Sequence, residues 1–335
     1  MRKVLLATTA LVATAGVASA EVSIGGYFYM GYTDISDDAS TSASGYFTNS
    51  SQNEVYIMFS DSTDSGLNYG WTVDLRDGMG NSDDNGTPAI DESSGYISGD
   101  FGKIVFGNND GADNSFQVGV VGVGDSIAGN NTHITTRATN GTALVGVDSG
   151  AVANAAGVGD ATGISYFTPN MSGFSMGITH KDGGTAEDDI SIGLKYSGEM
   201  MGTSFTVGGG RYDNGESGSS ERTIDHFGLT LSQGDISIGI NQSSDEEGTT
   251  INTNNTYYGI GYNVNDQLTV SIASFESEND VASGDKMSVL GLGASYSLAP
   301  GLSLGFGLDQ FENTDTSAST KNEGTAMSAS VTMSF

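Results

Sequence analysis

The residue types that most often perform chemistry are scarce in this chain of 335 residues. It contains no cysteine and three histidines, and none of the histidines lies near a nucleophile motif such as Gly-x-Ser-x-Gly. Nucleophilic catalysis needs a nucleophile, a base and an orienting group held together, and the sequence does not present that set. The lack of cysteine also excludes thiolate chemistry and disulfide bonds. The sequence therefore predicts a protein without catalytic activity.

Carboxylates are the abundant charged groups, with 41 Asp and Glu against 11 Lys and Arg and a formal net charge of −30. This balance disfavours binding to nucleic acid. Some carboxylates form runs between the segments that read as strands. Hard cations prefer several carboxylate oxygens, so these runs are candidate Ca²⁺ or Mg²⁺ sites. None has the spacing of an EF-hand, and solvated loop charge is the simpler interpretation. The candidate ligands are Asp34, Asp37, Asp38, Asp245, Glu246 and Glu247.

The first twenty residues have the pattern of a secretory signal peptide. Arg2 and Lys3 precede an apolar stretch, and the small residues at 18–20 form a cleavage site. The apolar stretch is too short to remain as a membrane-spanning helix. We therefore predict a signal peptide over residues 1–20 and one domain over 21–335. Two basic residues leave with the signal, so the formal charge of the mature chain is 9 − 41 = −32.

The elements that must position these groups are strands, because apolar and small or polar residues alternate with a period of two. In the last segment Met327, Val331 and Phe335 fall on one face, while Ser328 and Ser334 fall on the other. Sixteen such segments follow the signal, joined alternately by short turns and long loops. A soluble sandwich would scatter loop lengths at both ends. The pattern predicts an all-β, sixteen-stranded antiparallel transmembrane barrel with short periplasmic turns and long extracellular loops.

Large apolar residues dominate the predicted outer face of the barrel, and small residues dominate the inner face. Sixteen strands enclose a space too wide for side chains to fill, so the interior holds water. An outer apolar belt of that size requires lipid. The sequence therefore predicts a multi-pass pore in the bacterial outer membrane, in contact with lipid and lipopolysaccharide. It would pass small hydrophilic solutes and ions by diffusion, with a mild preference for cations because its rims are acidic.

Several short motifs point to a known family. They are Glu21-Val22-Ser23-Ile24-Gly25-Gly26, Asp64-Ser65-Gly66-Leu67-Asn68-Tyr69-Gly70, Gly99-Asp100-Phe101-Gly102-Lys103-Ile104, a long third loop and the final Phe335. With these features the chain resembles the general diffusion porins of Gram-negative bacteria, in particular the alphaproteobacterial branch. The resemblance covers the whole mature chain. It implies a homotrimer of barrels, each with its own channel narrowed by an inward-folded third loop, for which residues 109–162 are the candidate.

The resemblance also implies where a constriction would lie. In such porins acidic residues of the third loop face basic residues of the wall, and the resulting field orders polar solutes. A rich arginine ladder is absent here, so the field is expected to be weak. Alternatively, Arg76 and Lys195 only balance Asp74 and neighbouring carboxylates. The candidates are Asp110, Asp113, Asp125 and Asp148 on the loop, and Asp74, Arg76, Lys195, Arg222 and His226 on the wall.

Two other functions remain open at this stage. A substrate-specific channel, such as a sugar porin, would line its lumen with aromatic residues, and Tyr27, Tyr29 and Tyr56 fall on the inward parity of their strands. These residues do not form an ordered series, which favours general diffusion. A secreted adhesin or surface protein would also be acidic, glycine-rich and free of cysteine. The final amphipathic strand and the alternation of loop lengths count against that reading.

Overall fold

The computed structural model is a closed antiparallel β-barrel. Each strand pairs with its neighbours in chain order, and the first strand, β1 (Glu21–Asp37), also pairs with the last, β17 (Thr320–Ser334). Closure in this way leaves the backbone groups of both terminal strands paired, as a barrel in lipid requires. The structure describes residues 20–38, 45–49, 53–76, 89–126, 162–182, 187–249, 251–280, 285–315 and 320–335.

The remaining strands follow along the chain, and most of them are nine residues or longer. They are β2 (Tyr46–Asn49), β3 (Glu54–Ser62), β4 (Asn68–Arg76), β5 (Ala89–Gly99), β6 (Gly102–Asn108), β7 (Thr162–Phe167), β8 (Phe174–Lys181), β9 (Asp189–Met200), β10 (Thr203–Asp213), β11 (Arg222–Gln233), β12 (Ile236–Glu247), β13 (Ile251–Asn263), β14 (Leu268–Asn279), β15 (Lys286–Ala299) and β16 (Leu302–Asp315).

Seventeen segments make sixteen positions around the barrel, because β2 and β3 share one position. Residues 30–33 of β1 pair with β2, and residues 21–27 of β1 pair with β3. The two segments are therefore consecutive parts of one barrel strand. The predicted sixteen-stranded antiparallel barrel is confirmed.

The outer face changes sharply from apolar to charged along β14 to β17. Ile272, Leu292, Leu308 and Met327 are direct neighbours across these four strands, and all are exposed. Four residues further toward the long-loop end, the same face carries charged residues. An apolar band bordered by charge is the pattern of a surface that passes from hydrocarbon to headgroups. The charged residues include Glu276, Glu312 and Glu323, with Lys286 and Lys321 beside them.

Two acidic runs were assigned wrongly to long loops, and one of them, at residues 34–38, lies within β1 up to Asp37. Asp245, Glu246 and Glu247 are the last residues of β12, and only residues 248–250 separate this strand from β13. The strands continue beyond the apolar band, where both faces are polar. The alternation of apolar and polar residues therefore disappears before the strand itself ends, which is why the sequence pattern placed the boundary too early.

Helical structure in the described ranges consists of two 3₁₀ turns, Asn114–Phe116 and Gly218–Ser220. None of the helices in these ranges has the length and apolar character needed to cross a membrane. The predicted signal peptide lies outside the described residues except for residue 20, and it stays a prediction. So does the division into residues 1–20 and 21–335.

Candidate functional site

Residues 109–126, here called the inner segment, run around the inside of the barrel wall. Near its start, the amide of Ala112 donates to Thr179 Oγ1 on β8 at 2.8 Å. Near its end, Ser328 Oγ on β17 donates to the carbonyl oxygen of Asp125 at 2.9 Å. The inner segment thus passes across ten consecutive strands, from β8 to β17. The inward-folded third loop is confirmed for these residues.

Side chains of the wall bind the backbone of the inner segment along its middle part. Asn241 Nδ2 on β12 donates to the carbonyl oxygen of Val118 at 2.8 Å. The hydroxyl of Tyr257 on β13 accepts from the amides of Val121 and Gly122 at 3.1 and 2.8 Å. Buried backbone groups need such partners when they have no strand neighbour. These contacts hold the inner segment against the wall.

The length of the inner segment matches the path that it follows. Ten neighbouring strands at about 4.8 Å spacing cover about 9 × 4.8 ≈ 43 Å of wall. The fourteen steps from Ala112 to Ser126 reach at most roughly 46–50 Å. On the shorter arc inside the wall there is room for the 3₁₀ turn at Asn114–Phe116 but not for a longer helix. The segment must therefore be largely extended.

Glycines on the inner face allow this close approach. A methyl group added at Gly228 or Gly293 would overlap the carbonyl oxygen of Val118 or Val123, respectively. Side chains at these positions would push the inner segment away from the wall. The abundance of small residues on the inner face therefore serves the inner segment as well as the channel. Glycines that face it in this way are Gly193, Gly208, Gly228, Gly239, Gly293 and Gly307.

Asp113 and His226 lie in the contact between the inner segment and the wall. Asp113 is fully buried, His226 is 5 % exposed, and His226 Nε2 is 3.1 Å from the carbonyl oxygen of Asp113. Burial raises the pKa of the Asp113 carboxyl group. Both residues were predicted to line the pore, and the structure instead places them where the inner segment is attached.

Lys195 also contacts the inner segment. Its Nζ atom lies 5.6 Å from the centre of the Phe116 ring, a distance at which a cation and an aromatic face attract each other. The Phe116 ring is buried and lies 6.2 Å from the ring of Phe167 on β7. Lys195 is on the inner face, as its parity predicts, and its side chain contacts Phe116 of the inner segment.

The wall of β1 to β5 carries a second group of charged residues. Arg76 at the end of β4 donates from Nε and Nη2 to Glu54 Oε1 on β3, at 3.2 and 3.1 Å. The same Nη2 forms an ion pair with Asp91 on β5. Asp74 precedes Arg76 by two residues on the same face, and Tyr56 donates its hydroxyl hydrogen to Glu54. We call Glu54, Asp74, Asp91 and Arg76 the wall cluster.

Glu54 and Asp91 were not among the predicted site residues. Glu54 is the first residue of β3, where no alternation precedes it. Asp91 lies on β5 opposite a register irregularity between Val73 and Leu75 of β4, which changes the parity that the later part of β5 predicts. The pairing of both with Arg76 depends on strand register, which the sequence shows only indirectly.

The family follows from the sequence match. The family model described as Gram-negative porin matches residues 7–316. The chain belongs to the Gram-negative porin family. It is a channel protein of the bacterial outer membrane, which it spans with its strands. No curated protein sequence matches the chain.

Solved structures share the fold of this porin at low sequence identity. The anion-selective porin from Comamonas acidovorans is 17 % identical with a TM-score of 0.64, over 95 % of this chain and 100 % of that one. The outer-membrane channel DcaP of Acinetobacter baumannii is 10 % identical, with a TM-score of 0.67 over 96 % and 100 %. OmpT of Vibrio cholerae is 12 % identical, with a TM-score of 0.65 over 97 % and 100 %.

The other predicted constriction residues of the porin are dispersed. Arg222 makes a two-point contact with Asp245, from Nε to Oδ1 at 3.0 Å and from Nη2 to Oδ2 at 2.7 Å. Asp125 is 3 % exposed, whereas Asp110 is exposed and accepts a hydrogen bond from Asn114. Asp148 lies outside the described residues. Arg222 is thus engaged by a neighbouring strand.

Lys181 is a wall cation of the porin that the sequence did not single out. It is fully buried on β8 and donates from Nζ to the carbonyl oxygen of Asn109, at the start of the inner segment. Its inward parity was readable, but a buried lysine is rare enough that sequence alone gives no reason to expect one.

The predicted cation-binding runs are also divided between faces. Asp34 lies opposite Met327 on the outer face, whereas Asp37 has the inward parity. Asp245 is paired with Arg222. Within the described ranges, the group of three carboxylates that lie close enough to share one ion is Glu54, Asp74 and Asp91, in the wall cluster.

Proposed function

We propose that this porin is a passive, non-catalytic channel for small hydrophilic solutes and ions, with a mild preference for cations. The wall cluster carries the proposal, because its three carboxylates lie close together beside a single guanidinium group, which contacts two of them, and leave a formal charge of −3 + 1 = −2. Fixed negative charge on a water-filled wall raises the local concentration of cations. The formal charge of −30 for the whole chain acts in the same direction.

The preference is expected to be mild because the basic residues of the wall are already engaged. Lys195 faces Phe116, Arg222 is paired with Asp245, and His226 lies against the backbone of Asp113. A strong transverse field needs basic groups that face acidic groups across open water. These contacts support a channel in which the net charge, rather than an ordered field, determines selectivity.

Planar bilayer recordings test this proposal. We expect purified protein to give large single-channel steps and a zero-current potential of cation sign across a KCl gradient. The potential should decrease when both KCl concentrations are raised, because salt screens the fixed charges. A potential of anion sign would contradict the preference, and folded protein without conductance would contradict the channel.

A substrate-specific channel is the second candidate, favoured by tyrosines on the inner face of the same wall. Tyr27, Tyr56 and Tyr96 lie on β1, β3 and β5, and the Tyr96 ring is 4.8 Å from Lys103 Nζ. Aromatic faces are suitable surfaces for sugars or aromatic solutes. Stepwise block of the current by one solute class would favour this candidate over general diffusion.

We further propose that the porin assembles as a homotrimer in contact with outer-membrane lipid and lipopolysaccharide. A solved structure of Vibrio cholerae OmpT is described as a trimer form, and the outer apolar row of β14 to β17 with its charged border suits a lipid surface. Crosslinking in intact membranes should yield trimers. Purification in mild detergent should retain lipopolysaccharide, measurable by its sugar content.

A further inference from the structure

We propose that the wall cluster binds a divalent cation, with Ca²⁺ preferred, through the carboxylates of Glu54, Asp74 and Asp91. This proposal deepens the proposed function, since it names a regulatory ion for the wall that carries the cation preference. It also moves the predicted Ca²⁺ or Mg²⁺ site from the acidic runs at residues 34–38 and 245–247 to the inner wall of the barrel.

The geometry of the three carboxylates suits one shared ion. One carboxylate oxygen from each residue lies within 4.8 Å of those of the other two. Ca²⁺ binds oxygen at about 2.3–2.6 Å, so its ligands lie up to about 4.6–5.2 Å apart, and a separation within 4.8 Å is compatible with one shared ion. Ca²⁺ also accepts irregular coordination, and water from the lumen would complete its shell.

Asp74 gives an independent indication that a positive partner belongs in this cluster. The residue is 8 % exposed, and its Oδ1 atom has no hydrogen-bond donor within the described part of the chain. Arg76 uses Nε and Nη2 for Glu54 and Nη2 for Asp91. A buried carboxylate oxygen without a donor is costly, and a bound cation would remove that cost.

The charges of the cluster sum to zero with one divalent ion bound. Three carboxylates and one guanidinium leave −2, which Ca²⁺ neutralises and a monovalent ion does not. The side chains of Glu54 and Asp91 are 10 % and 14 % exposed, so an ion entering from the lumen would be held close to the wall. Binding would remove the fixed charge that favours cations, so Ca²⁺ would lower the cation preference of the channel.

The binding experiment uses purified full-length porin in detergent, titrated calorimetrically with CaCl₂ and separately with MgCl₂. We expect wild-type protein to bind Ca²⁺ more tightly than Mg²⁺. Asp74→Asn and Asp91→Asn should each weaken Ca²⁺ binding by at least about tenfold, the lower end of the loss when even an outer-shell partner of a metal is removed. Asp110→Asn is the matched control, because it removes an exposed carboxylate of the inner segment outside the cluster.

The electrical experiment measures the zero-current potential of the same proteins in a KCl gradient, with and without CaCl₂. Ca²⁺ should reduce the cation-signed potential of wild-type and Asp110→Asn channels, and should have little effect on Asp74→Asn. Ca²⁺ binding that is equal in wild type and both cluster variants would overturn the proposal. Calorimetry separates this proposal from the channel function. Loss of Ca²⁺ binding in cluster variants that still fold and conduct would support the ion site. Protein that binds Ca²⁺ but does not conduct would contradict only the channel function.

Discussion

At the scale of single residues, Arg76 has more acidic neighbours than it can neutralise. It contacts Glu54 and Asp91, and Asp74 stands on the same face. The sequence identified Arg76 and Asp74 as wall residues by their parity on β4. It did not identify Glu54 and Asp91, because their positions relative to Arg76 depend on pairing across three strands. Parity within one strand is a local property, whereas register is not.

Replacing Arg76 by Gln should increase the preference for cations. The three carboxylates would then lack their guanidinium partner, and the formal charge of the cluster would change from −2 to −3. Unit charges 4 Å apart in water interact by about 1 kcal/mol, so the cation-to-anion permeability ratio should rise by up to about fivefold. The measurement is the zero-current potential in a KCl gradient.

Arg211→Gln is the matched control for that experiment. Arg211 is paired with Asp225 at 2.8 Å, and both side chains are about half exposed on the outer face of the barrel. The Arg211→Gln substitution removes the same charge without changing the lumen, so it should leave the zero-current potential unchanged. An unchanged potential, or a shift of the Arg76 variant toward anions, would contradict the placement of Arg76 beside the permeating ions.

Asp113 should make the stability of the barrel depend on pH. Its pKa is raised by burial, so the folded state binds the proton more tightly than the unfolded state does. The free energy of unfolding should therefore rise as the pH falls from the raised pKa toward the ordinary value of about 3.9. Above the raised pKa the cost of the buried charge is fully present.

Asp113→Asn should abolish this dependence and be more stable than wild type at neutral pH. Urea unfolding of the folded barrel at a series of pH values measures both effects. Asp110→Asn serves as the control because Asp110 is exposed and lies three residues away. Identical pH profiles for wild type and Asp113→Asn would show that the carboxyl group is not buried in the folded protein.

At the scale of elements, the inner segment depends on the glycines and small polar residues of ten strands. The sequence predicted that residues 109–162 contain a constriction loop, through a resemblance and through the length of the loop. It did not predict the path along the wall, because a glycine on the inner face is expected in an open channel whether or not a segment packs against it. The path depends on contacts between residues far apart in sequence, such as Tyr257 with Val121 and Gly122, and Asn241 with Val118.

Deleting residues 115–124 should widen the channel. These residues lie inside the barrel against the wall, and their removal leaves lumen where the inner segment ran. Single-channel conductance in a planar bilayer should increase. A shortening of the connection at 215–220, between β10 and β11, is the control and should leave the conductance unchanged. Equal conductance in wild type and in the 115–124 deletion would refute a constricting role for this segment.

At the scale of the whole molecule, the barrel is closed by pairing of β1 with β17. Eleven residue pairs lie between the two strands, from Tyr27 with Ser334 to Asp37 with Gly324. Phe335 extends the pairing, since its carbonyl oxygen accepts from the amide of Gly26 at 2.8 Å and its amide donates to Gly26 at 3.1 Å. The strand pattern of the sequence predicted the closed architecture well, because in lipid every strand shows the same alternation.

Deleting Phe335 should impair closure of the barrel. The deletion removes two backbone hydrogen bonds, each with a net contribution of about 0.5–1.5 kcal/mol, and thus about 1–3 kcal/mol in all. The fraction of folded barrel, measured by its faster migration in unheated gels, should decrease. Phe335→Tyr keeps both hydrogen bonds and the ring, and should fold as wild type does. Normal folding of the deletion would show that the other pairs of β1 and β17 suffice.

The path of the inner segment divides the circumference of the barrel into two sectors with different roles. From β8 to β17 the wall supports the inner segment as a second layer, and the residues there mainly contribute to packing against it. From β1 to β6 the wall carries Glu54, Asp74, Arg76 and Asp91, which we propose act on the permeating ions. The open channel therefore lies off the axis of the barrel. Substitutions around one level of the barrel should change mainly stability from β8 to β17 and mainly ion permeation from β1 to β6.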